Sequence, residues 1–147
     1  MSFKKSLLVA LGLAFGMALA NEPVNSEPYQ QAFAEHVFNS LQQMASADLV
    51  QSDEPEAFLA ELQLYAGYIA RCHMRSMAQY DEKFSQMAYR VVAEGGSYER
   101  ADELLQGALL AAISEGGDET QAVMQSAQRA NLTFEACMAQ VNQGAQP

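Results

Sequence analysis

Basic side chains are scarce in this chain: 8 Lys and Arg stand against 18 Asp and Glu, for a formal net charge of −10. A nucleic-acid surface needs clustered Lys and Arg, and docking on anionic lipid needs the same, so the composition speaks against both partners. Histidine is scarcer still. Only His36 and His73 occur, which leaves imidazole acid–base chemistry thinly supplied. The two cysteines, Cys72 and Cys137, form neither the Cys-x-x-Cys of a redox dithiol nor the Cys-x-x-Cys-His of haem attachment. Gly-x-Ser-x-Gly, His-Glu-x-x-His and phosphate-loop motifs are all missing. So is any run of alternating apolar and polar residues that would mark a strand. These absences point away from an enzyme, imply no cofactor, and leave an all-α protein.

The chain opens with a short positive region, Lys4-Lys5, and an apolar run from Leu7 to Leu19. Ala18-Leu19-Ala20 then fits the small-x-small cleavage pattern. Residues 1–20 read as a Sec-type signal peptide cut after Ala20. The apolar run falls short of the ~20 residues a spanning helix needs, and no later segment is apolar enough to span. Asn21 rather than Cys follows the cut, so a lipidated N-terminus is not indicated. Cutting 20 of the 147 residues leaves 127 and, with Lys4 and Lys5 gone, takes the charge from −10 to about −12. That length suits one domain with a real core. The expected product is periplasmic or secreted, free of the membrane after cleavage. Its expected organisation is a flexible lead-in (21–27), a single helical domain (28–142) and a frayed tail (143–147).

Within the domain, punctuation and apolar spacing outline helices. Ser26 is a candidate cap with Pro28 in the first turn, and Phe33, Val37, Leu41 and Met44 form a stripe on a helix expected to reach about residue 50. Asp53 with Glu56 matches a capping box in type. Beyond it Phe58, Leu62, Tyr65, Ile69 and Cys72 repeat at helical spacing, and the stripe continues, one position out of step, through His73, Met77, Tyr80, Phe84, Met87 and Val91. A break near Gln79–Asp81, where Tyr80-Asp81-Glu82 can supply a cap for a new helix, is preferred over one very long helix. The "EGGS" of 94–97 and the "EGGD" of 115–118 each stop a helix with glycine and supply a cap, Ser97 in one and Asp118 in the other. Ala101, Leu104, Leu105, Ala108, Ala112 and Ile113 line the helix between them, and Val123, Ala127, Ala130, Phe134, Cys137 and Val141 the last one. The two marks lie too close together for the ~34-residue tetratricopeptide period. The expectation is a small bundle or orthogonal array of four to five antiparallel helices.

Cys72 and Cys137 each continue the apolar stripe of a different helix, as a staple between helices requires. In an oxidising compartment an even pair reads first as a disulfide, and closing so long a loop stabilises the fold by roughly 4 kcal/mol on the chain-entropy model. Two buried thiols, a link between chains and functional sulfur are the alternatives. The stretch Cys72-His73-Met74 invites a copper reading, since thiolate, imidazole and thioether suit Cu(I). Consecutive helix residues diverge by about 100°, so the feasible pair is His73 with Met77, completed from another helix. Methionines at core-type spacing are usually gap fillers, which makes this the lesser reading.

Arg71 and Arg75, one turn apart in an acidic chain, are candidates for contact with an anion or partner, although pairing with acidic neighbours is the commoner fate of such residues. His36 is expected to be exposed or half-buried. Asp53-Glu54-Pro55-Glu56 and Asp102-Glu103 read as charges favouring helix N-termini. Asn131-Leu132-Thr133 matches a glycosylation sequon but falls inside an expected helix and is set aside. The leading expectation is an exported, non-enzymatic module that binds a protein or peptide, with acid-stress chaperones as a class-level analogy. The alternatives are soft-metal binding, or a small ligand held in the core near Tyr65, Tyr68 and Tyr80.

Overall fold

A computed structural model of the chain describes residues 22–144. The signal-peptide reading of residues 1–20 and the end of the tail lie outside the described residues. Helices run over Glu27–Met44 (α1), Ser46–Gln51 (α2), Pro55–Met77 (α3), Glu82–Ala93 (α4), Tyr98–Glu115 (α5) and Asp118–Asn142 (α6), with no strand among the described residues. The described residues are all-α, with six helices in place of the expected four to five. The extra one comes from the segment expected to continue the first helix to about residue 50. The helix stops at Ala45 and restarts as the one-and-a-half-turn α2. Ser46 and Asp48 are weak helix-interior residues, and no residue of α2 is buried, so no packing holds the axis straight. The break between α3 and α4 falls at Ala78–Asp81.

Capping agrees with the sequence at two sites and departs from it at three. The Asp81 carboxylate accepts from the Lys83 N–H at 3.0 Å, and the Ser97 hydroxyl from the Arg100 N–H at 3.2 Å. Ser26 occupies the cap position of α1 without a side-chain bond; Asn25 Oδ1 instead accepts from the Glu27 N–H at 3.0 Å. The Asp53–Glu56 box does not form, because Glu54 takes the cap position of α3 and Ser52 Oγ accepts from its N–H. Asp118 is the first residue of α6, not its cap. The turn before it is closed from the other side, where the Thr120 hydroxyl faces the Ala112 and Ile113 carbonyls at 3.0 and 3.1 Å. Gly95 has φ 90°, a left-handed conformation open to glycine. At Gly96 a Cβ would lie 2.7 Å from the Val91 carbonyl oxygen, so this turn needs both glycines.

The core gathers Tyr29 of α1, Met77 of α3, Phe84, Ala88 and Tyr89 of α4, Ala101, Leu105, Leu109 and Ala112 of α5, and Val123 of α6. Tyr29 is fully buried. It lies four residues before Phe33 and so extends the stripe that was read from Phe33 onward. The other end of that stripe is not core: Met44 is 75% exposed. On α3 the buried positions are Ala66, Ala70, Cys72 and Met77, while Phe58, Leu62, Tyr65 and Ile69 are half-buried beside them. In the lead-in, Val24 packs against the core and its N–H donates to Gln86 Oε1 at 2.6 Å. No helix of the described residues is long and apolar enough to cross a membrane.

Candidate functional site, a cleft ringed by four helices

Four helices surround a common centre: α1 packs on α3, α3 on α6 and α6 on α5, while α5 meets α1 mainly through α4, which packs on both. Across that centre neither α1 with α6 nor α3 with α5 packs closely. The gap left at the centre is a cleft of about 300 Å³. Buried Met77, Leu105 and Leu109 form its floor. Half-buried Phe33, His73, Ser76, Tyr80, Asp102 and Phe134 form its walls, and exposed Gln106, Asn131 and Glu135 its rim. The staple lies beside it. Cys72 and Cys137 are joined in a disulfide with their Cα atoms 5.5 Å apart, linking α3 to α6. Because His73 follows one cysteine and Phe134 and Glu135 closely precede the other, the link sets how two walls of the cleft face each other.

His73 is the most constrained polar group in this wall. Its Nε2 lies 3.1 Å from the hydroxyl of fully buried Tyr29, and the Phe33 ring stacks on its imidazole with centroids 4.0 Å apart. Burial lowers the His73 pKa to about 4 from its ordinary 6.5, and the opposing pull of Asp102 does not offset it. Burial likewise pushes the Tyr29 phenol far above its ordinary value, helped by Tyr98 and Asp102. Tyr98 rises to about 12, mainly through burial and then through Asp102 and Glu99. Whichever tautomer His73 adopts, the Tyr29–His73 pair is uncharged at neutral pH. The formal charges of the cleft are then the carboxylates of Asp102 and Glu135, neither of which forms a salt bridge with a described residue.

The other sequence candidates fall elsewhere. Met77 is 2% exposed on the cleft floor and belongs to the core. Its proposed partner His73 already holds the Tyr29 hydroxyl at Nε2. No group of three or more His, Cys, Asp or Glu converges to hold a metal among the described residues. Among the described residues neither Arg71 nor Arg75 forms a salt bridge with an acidic neighbour. The positions one turn away on either side, besides the two arginines themselves, are Gly67, Tyr68, Cys72, Met74, Ala78 and Gln79, so no carboxylate is in reach along the helix. The Arg71 guanidinium instead lies over the Tyr68 ring, 4.8 Å from its centroid, with its buried Nε unbonded. Arg75 Nη1 lies 3.7 Å from Cys137 Sγ. Of the three tyrosines proposed around a core ligand, only Tyr80 lines the cleft. His36 is half-buried, its Nδ1 2.9 Å from Glu99 Oε1, on a wider polar groove of about 580 Å³ between α1 and the start of α5.

Asp102, Glu135, Phe33 and Phe134 were not singled out by sequence as site residues. Asp102 did carry a signal. It lies three and seven residues before Leu105 and Leu109, which puts a carboxylate on the apolar face of α5. No protein-family model, curated protein or solved structure matches this chain.

Proposed function

We propose that this chain is an exported, non-enzymatic binding module that takes a segment of a partner protein or peptide into the cleft between α1, α3, α5 and α6. In this reading these helices form a small bundle whose centre is left open. The single observation that carries it is the cleft itself: an apolar floor, aromatic walls and a few convergent polar groups, at the lower end of the size range of ligand pockets. Two further features support it. His73, the one imidazole in the cleft, engages Tyr29 through Nε2 and is held neutral by burial, as suits a wall residue. The Cys72–Cys137 link fits an oxidising compartment.

The test uses a rim residue. Asn131 is exposed on α6, so Asn131→Trp places an indole over the mouth without disturbing the core. Peptides selected from a random library for binding to the wild-type chain should bind this variant at least tenfold more weakly, with its melting temperature little changed. Peptides that bind both proteins equally would refute the cleft as the binding site.

A further inference from the structure

Resting on that reading, we infer that the group the cleft accepts is an organic cation: the ammonium or guanidinium head of a Lys or Arg side chain, carried on its methylene stem. The argument begins with what a ligand would cover. Asp102 is half-buried in the wall and forms no salt bridge with a described residue. An apolar group entering the cleft would strip the remaining water from this carboxylate without replacing its hydrogen bonds, which is costly. An anion would meet Asp102 and Glu135 with no Lys or Arg lining the cleft to offset them. A bare metal ion finds no converging ligand set among the described residues. A cationic head offsets the two carboxylates that line the cleft and meets an aromatic lining of Phe33, Phe134 and Tyr80, a side-chain class that attracts cations.

The floor completes the match. Met77, Leu105 and Leu109 are buried and apolar, and the stem of Lys or Arg is apolar up to its head. A neutral His73 does not repel the incoming charge. At the scale of the molecule, 18 acidic residues against 8 basic ones favour encounter with a basic segment. A free diamine shares this head-and-stem chemistry. The peptide side chain is the occupant argued for, because the exposed amides of Gln106 and Asn131 at the rim can bond a peptide backbone.

The experiment titrates the mature chain, its Met methyl groups labelled with carbon-13, and follows the Met77 methyl on the cleft floor by NMR. The probes are capped pentapeptides centred on Lys, Arg or norleucine, together with free 1,5-diaminopentane. The Lys and Arg peptides should shift the Met77 signal and bind at least tenfold more tightly than the norleucine peptide. Asp102→Asn with Glu135→Gln should remove that preference, and Glu61→Gln, on α3 outside the cleft, should leave it intact. Because the peptide comparison is made on the wild-type protein, it stands even where the double variant fails to fold. Equal binding of the norleucine peptide, with Met77 still shifting, overturns the cation inference and leaves the cleft reading standing. Diaminopentane binding as tightly as the Lys peptide overturns the peptide as occupant. Silence of Met77 toward all four probes overturns the cleft reading and, with it, the inference.

Discussion

At His73 desolvation outweighs attraction. Asp102 favours the imidazolium, yet burial against Tyr29 and Phe33 lowers the pKa to about 4. The unfolded chain takes up this proton near pH 6.5, so between the two values it binds more protons than the folded chain. Stability from this group is present above about pH 6.5, is lost as pH falls toward about 4, and levels off below that. Besides Tyr29, the titratable groups that share the cleft with it are Tyr80 after α3, Asp102 on α5 and Glu135 on α6. The expected loss is roughly 3 kcal/mol. Urea unfolding of wild type and His73→Gln at pH 7, 5.5 and 4 measures it: the variant should lack this part of the decline. Identical pH dependence in the two proteins would mean that His73 titrates normally in the folded chain.

At the scale of the helices, the disulfide is the contact whose removal has the clearest expected cost. Cys72→Ser with Cys137→Ser opens a long loop in the unfolded chain and should lower unfolding free energy by roughly 4 kcal/mol. A urea midpoint unchanged from that of the oxidised protein would show that helix packing alone holds α3 to α6. Both cysteines were legible as inward-facing because each continues a regular apolar stripe, and the α3–α4 break was legible from Tyr80-Asp81-Glu82. The Ala45 break was not: Met44 belongs to the apolar repeat, and only tertiary packing reveals that it is exposed. Capping was read correctly where one polar residue stood at the junction, as at Ser97 and Asp81. It was misread in Ser52-Asp53-Glu54-Pro55, where several compete. The cleft was least legible, because it arises from the wide spacing between α3 and α5, and spacing within one helix carries no trace of that gap.

Across the whole molecule, helices surround an open centre, a staple lies beside it, and the composition is strongly acidic. The wider groove near His36 and Glu99 is lined mostly by polar residues and is bridged by the exposed His36–Glu99 contact, and exposed contacts of this kind contribute little to stability. It is therefore the natural comparison site for any binding test. Backbone amide shifts recorded while a Lys-centred peptide is titrated into the mature protein measure the central claim most directly. The cleft account predicts that the largest changes fall on residues 73–80 at and just beyond the end of α3, 102–109 of α5 and 131–135 of α6, and saturate together with one affinity. Changes centred on His36, Ser97 and Glu99, or spread evenly over the acidic surface without saturating, would contradict it.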